Sequence, residues 1–199
     1  MTKFTLIRIL VGGLGVLALG VAVACGDDDP SGPANDLVVF RWTFPDDLDG
    51  WESGTDGAGG WGTADHSGAD ALASPTAAEE GSVKLDGVGD PGEPNAWIFR
   101  TDVVLPADAA TLAYWAAGHN QDGANAHLRV RLVDASATTH TLVDWEEFSG
   151  SAGGRNWEER TVSVAAFAGQ TVALYFEQDD NGPGAHEQIY LDEIRVLRD

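Results

Sequence analysis

The stretch QIYLDEIRV, Gln188 to Val196, reads as a buried strand with two acids at its centre. Strand side chains alternate between faces, so a regular strand keeps its apolar residues on one parity. Ile189 and Leu191 are odd-numbered, whereas Ile194 and Val196 are even. The phase flips at Asp192-Glu193, which is the mark of a one-residue bulge. A bulge re-aims side chains, so one of these carboxylates is expected to turn inward. An inward carboxylate is costly unless it is paired or bound to a metal. Asp192 is therefore the first candidate ligand position in the chain.

Upstream, similar runs recur between Gly, Asp, Asn and Pro clusters, and no internal repeat is present. They are LVVFRWTF (37–44), WGTADH (61–66), SVKLD (82–86), WIFRTDVV (97–104), TLAYWAA (111–117), HLRVRLVD (127–134), HTLVDWEE (140–147), WEERTVSV (157–164) and TVALYFEQ (171–178). Phe40, Trp42 and Phe44 alternate with Val39, Arg41 and Thr43; Leu128, Val130 and Leu132 alternate with Arg129 and Arg131. Trp97, Phe99 and Val103 form an apolar set against Ile98, Arg100 and Asp102, which assigns Trp97 to the core with Trp42. About ten strands with one apolar face each call for two packed sheets. The expected fold is all-β, a two-sheet antiparallel jelly-roll β-sandwich spanning residues 36–199.

Several stretches resemble known families. NAWIFRTDVVLPADAATLAYW, the tail WEERTVSVAAFAGQTVALYFEQDDNG…IYLDEIRV and the opening FPDDLDGW are similar to the corresponding parts of MAM-like and cleaved-adhesin jelly rolls. The likeness covers most of residues 40–197. It implies a binding or adhesion module displayed outside the cell, often with structural calcium. It also implies that Asp192 shares such an ion with an acid near the first strand, for which Asp46, Asp47 and Asp49 are the candidates. Pro45 stands where the families often carry Glu. The alternative is a bulge in which Asp192 accepts backbone N–H bonds and holds no metal.

A second, weaker metal pattern lies in EQDDNGPGAHEQ (177–188), where Glu177, Asp179 and Asn181 match the first positions of a calcium loop. Gln188 stands where the bidentate Glu belongs, so a β-hairpin turning at Asn181-Gly182 is the preferred reading. Among the seven tryptophans, Trp115, Trp145 and Trp157 are the ligand-binding candidates. Trp145 stands among Asp144, Glu146 and Glu147, and a ring beside carboxylates suits a pyranose, whose apolar face stacks while its hydroxyls are hydrogen-bonded. Core packing is the alternative for each.

No catalytic constellation emerges. Adjacent pairs such as Glu146-Glu147 and Glu158-Glu159 point to opposite strand faces, and a glycosidase needs two carboxylates converging on one bond. The histidines are scattered, and the chain lacks G-x-S-x-G, H-E-x-x-H and P-loop motifs. The sequence is read as a non-enzyme.

The N-terminus reads as targeting. Residues 1–24 contain no acid; Lys3 and Arg8 precede an apolar run that ends at Ala22-Val23-Ala24-Cys25. This resembles a bacterial lipoprotein signal, with Cys25 lipidated after cleavage, although Ala22 stands where Leu is usual. An uncleaved membrane helix is the alternative, but the run is short and broken by glycines. Residues 25–35 then form a disordered acidic tether. Cys25 is the only cysteine, so no disulfide holds the domain together. A net charge of −21 repels nucleic acid and anionic headgroups and suits neutral ligands or divalent cations. The expectation is a lipid-anchored envelope protein at the outer membrane or surface of a bacterium. Its partner would be a glycan first and a protein surface second, with a structural module lacking any small ligand as the third reading.

Overall fold

The computed structural model describes residues 37–56, 63–67, 81–87, 92–119, 126–148, 157–179 and 187–199, with the backbone alone for 63–67. The signal segment, Cys25, the tether, Trp61 and Asn181 lie outside these residues. Among the described residues, eleven strands form two antiparallel sheets within one compact unit, Ala34–Asp199. One sheet runs β3 (Thr63–Ser67), β4 (Ser82–Asp86), β11 (Gln188–Arg198), β6 (Ala109–His119) and β9 (Glu158–Ser163), with β1 (Val38–Trp42) also paired to β11. The other runs β2 (Glu52–Thr55), β5 (Ala96–Val104), β10 (Thr171–Asp179), β7 (Ala126–Val133) and β8 (Thr139–Phe148).

The core lies between the sheets. Leu85, Leu112, Leu191, Ile194 and Val196 from the six-stranded sheet join Ile98, Leu128, Val130, Leu132 and Leu174 from the other. Each such side chain contributes about 1.5–3 kcal/mol on burial. The aromatic stripe read from β1 is real: Phe40 stacks on Trp42 at 5.6 Å. Trp42 then meets Trp51 edge-on at 5.4 Å, and Trp51 meets Phe176 at 5.7 Å.

The bulge in β11 is present. Asp192 pairs with Trp115 and Arg195 with Ala113, so β11 carries one residue more than β6, and Glu193 has φ 51°. The bulge also divides the opposite edge of β11. β4 pairs with Gln188–Leu191, and β1 pairs with the strand from Ile194 onward. Leu191 and Ile194 enter the core on either side of the acids, and alternation turns Asp192 away from Leu191. Asp192 and Glu193 are nevertheless buried, at 0% and 2% exposure. Glu193 is paired with Arg41 of β1, whose Nε donates at 2.8 Å and whose second nitrogen bonds the other carboxylate oxygen.

Three expectations are corrected. β10 and β11 do not form a hairpin: they belong to different sheets, so the chain crosses the sandwich between them. The buried Gln178 amide ties this crossing, accepting from Gly87 N at 2.8 Å and donating to the Glu187 carbonyl at 3.1 Å. Second, the apolar faces of β5 are inverted. Arg100 pairs with Leu174 and Val103 with Val172, so a bulge at Asp102 (φ 58°) flips the phase. Ala96, Ile98 and Val103 face the core, while Trp97 and Phe99 face outward. Third, Glu52–Thr55 is an additional strand. Its sequence ESGT has no apolar face to mark it, because it is an edge strand.

Candidate functional site

The outer face of the five-stranded sheet gathers aromatic, arginine and carboxylate side chains in transverse rows. In the central row, Gly54 of β2 pairs with Trp97 of β5, Trp97 with Glu177 of β10, and Glu177 with Arg129 of β7. The next row is Glu52, Phe99, Tyr175, Arg131 and Thr141. On the other side Asp179 opposes His127, which opposes Glu147. These residues share a face because register partners point the same way, and their neighbours Ile98, Phe176, Leu128 and Val130 take the core.

Glu177 is the hub. Its Oε2 accepts from Arg129 Nε and from Arg131 Nε, each at 2.7 Å, and its Oε1 accepts from the second arm of Arg131. The two guanidiniums cover the carboxylate to 2% exposure, which offsets the cost of taking its charge out of water. Each guanidinium is also set against a ring. Arg129 lies 4.2 Å from the centroid of Trp145 and Arg131 5.6 Å from that of Tyr175. Phe99 and Tyr175 stack at 5.3 Å with 10° between their planes. Trp145 reaches this face from a bulge in β8, since Leu128 pairs with Glu146 and Val130 with Val143, and Trp145 itself has φ 41°.

The three tryptophans singled out from sequence are all half-buried and do not converge. Trp145 belongs to the face just described. Trp115 lies in the six-stranded sheet, in register with Asp192 and Glu159, and Glu159 is paired with Arg195. Trp157 immediately precedes β9 of the same sheet. Trp97, Phe99, Tyr175, Arg129 and Arg131 were not singled out as site residues. The alternation in HLRVRLVD and TVALYFEQ already turned Arg129, Arg131, Tyr175 and Glu177 to one side. Only the bulge in β5 hid the remaining two.

Asp46, Asp47 and Asp49 are exposed in the loop after β1, where Asp47 Oδ1 accepts the Asp49 N–H at 2.7 Å. Asp192 Oδ1 accepts the N–H of Glu193 at 2.7 Å. Glu177 lies within β10 with its carboxylate on two guanidiniums, and Asp179 Oδ2 accepts the Gly92 N–H at 2.8 Å. Among the described residues, no group of three or more His, Cys, Asp or Glu side chains could hold a metal ion.

Glu146 and Glu158 do meet, at the edge where β8 faces β9, but through Arg160. Its Nε lies 2.5 Å from Glu146 and its second nitrogen 2.6 Å from Glu158. Burial pushes the nearby Tyr114 hydroxyl above the usual tyrosine range, with Glu146 adding and Arg160 opposing. Both carboxylates are thus spent on one guanidinium that closes the edge of the sandwich.

No protein-family model matches the sequence, and no curated protein matches it. Solved structures do. The K1 cleaved adhesin domain of Lys-gingipain from Porphyromonas gingivalis superposes with a TM-score of 0.58 at 18% identity, over 80% of this chain and 98% of that one. The CBM22-1 xylan-binding domain of Paenibacillus barcinonensis Xyn10C gives 0.53 at 16% identity, over 81% and 94%. A family 61 carbohydrate-binding module in complex with β-1,4-galactotriose gives 0.51 at 14% identity, over 75% and 88%. The described domain has the jelly-roll β-sandwich fold of cleaved-adhesin domains and carbohydrate-binding modules.

Proposed function

We propose that this protein is a non-catalytic glycan-binding module, and that the ligand docks on the outer face of the five-stranded sheet. The observation that carries this reading is the row of Trp97, Glu177, Arg129 and Trp145 across β5, β10, β7 and β8. Rings offer apolar faces to a pyranose, and fixed guanidinium donors orient its hydroxyls. Solved proteins of this fold whose ligands are xylan and β-1,4-galactotriose support the choice of ligand class. The full chain in detergent, applied to a glycan array, is expected to be retained by a restricted set of oligosaccharides. A blank array would remove the reading and leave protein adhesion in its place.

Display at the cell envelope is the second part of the proposal. It is supported by the acid-free, apolar residues 1–24 ending in a single cysteine, Cys25. Two or more acyl chains give stable anchoring. Cys25→Ser is expected to release the protein from the membrane fraction or to block its processing. Unchanged retention of an uncleaved chain would instead support an N-terminal membrane helix.

A further inference from the structure

We infer that the ligand is a neutral oligosaccharide lying across the strands, and that Trp97, held in place over Gly54, is its stacking platform. This rests on the glycan reading and narrows it to a ligand class and an orientation. The key is the pairing of Gly54 with Trp97. A Cβ built on Gly54 would stand 2.6 Å from each of Cε2, Cζ2 and Nε1 of the indole. The ring of Trp97 therefore leans from β5 across β2 and occupies the space a side chain would need. Trp97 is half-buried, so part of this ring stays open to solvent. The other rings of this face are already engaged: Trp145 carries Arg129, and Phe99 and Tyr175 stack on each other. Among the described residues, no ring or guanidinium is stacked on Trp97.

The row sets the direction and the length. Trp97, Glu177 and Arg129 sit on three successive strands, about 10 Å from first to last at the usual strand spacing. A ligand stacked on Trp97 that also reaches the arginine donors is longer than one pyranose and runs transverse to the strands.

The charges set the class. Glu177 spends its oxygens on Arg129 and Arg131, so its one negative charge offsets one of their two positive charges and the row presents N–H donors. Exposed Glu52 flanks Phe99 on one side, and exposed Glu147 lies beyond His127 on the other. A uronate chain would meet those carboxylates and a net charge of −21. A neutral chain meets no repulsion, and its hydroxyls can accept from the guanidiniums and donate to the carboxylates.

The test is affinity electrophoresis of the full chain through gels containing β-1,4-galactan, xylan or polygalacturonate. Wild type is run beside Trp97→Ala, Gly54→Val and, as a control next to the six-stranded sheet, Asp108→Asn, whose side chain faces Arg198 of β11. Trp97→Phe and Gly54→Ala accompany them as milder variants, and urea midpoints establish that each is folded. The expected result is retardation by a neutral polymer and none by polygalacturonate, with at least tenfold weaker binding for Trp97→Ala and Gly54→Val. The milder variants should lose severalfold and Asp108→Asn nothing. Wild-type retardation in folded Trp97→Ala or Trp97→Phe would overturn the platform and leave the glycan reading standing. Retardation by polygalacturonate alone would overturn the neutral class. No retardation by either neutral polymer overturns the inference, and a blank array as well would remove the glycan reading itself.

Discussion

Glu177 in the five-stranded sheet and Glu193 in the six-stranded sheet are both 2% exposed and both held by arginine, yet they serve different ends. Glu177 occupies a regular strand position. Its partners come from β7, where two guanidiniums alternate with core Leu128, Val130 and Leu132 and are each set against a ring. The outcome is an ordered face of donors and aromatics. Glu193 sits at a bulge with φ 51°, beside Asp192, which takes the Glu193 N–H. Its arginine comes from β1, on the edge that β11 shares between β4 and β1. Here the charge pair fastens a joint. The same chemistry builds a surface where the ladder is regular and a fastening where it is broken.

The comparison can be broken by removing one partner from each pair. Glu177→Leu leaves two half-buried guanidiniums without their shared acceptor. Fully buried pairs cost about 3–5 kcal/mol when broken; with solvent reaching Arg131, about 2–3 kcal/mol is expected here, read from the urea midpoint. This variant should also lose glycan affinity, because the donors are no longer oriented. Arg41→Met is the smaller perturbation. Arg41 is 44% exposed, so its screened charge contributes less, and about 1–2 kcal/mol is expected. Glycan binding should be unchanged in Arg41→Met, since the joint lies in the other sheet. Equal losses of affinity in both variants would show that the two faces are one mechanical unit and would erase the distinction.

Legibility in the sequence followed contrast. The bulge at Asp192-Glu193 was readable because apolar residues of opposite parity stand on both sides of it. The bulge at Asp102 was not, since Trp97 and Phe99 are apolar although they face outward, and no polar alternation betrayed the flip. Trp145 was chosen for its acidic neighbours, but Arg129 on β7 is its stacking partner, and strand pairing alone brings that guanidinium over the ring. Glu177 was noticed as a loop ligand because of the acids that follow it. Its true partners are 46 and 48 residues upstream.

The all-β class, the two-sheet sandwich, the aromatic stripe of β1 and the outward arginines of β7 were determined by the sequence itself. Each depends only on side-chain alternation within a single strand, a local property with a period of two. Strand order, the crossing between β10 and β11, and the meeting of Trp97 with Gly54, Glu177 and Arg129 were decided by the tertiary structure. Asn181-Gly182 favours a hairpin, but that local preference is worth little against the area buried when β10 lies between β5 and β7. The candidate site is made of residues from different strands. No single stretch of chain contains it.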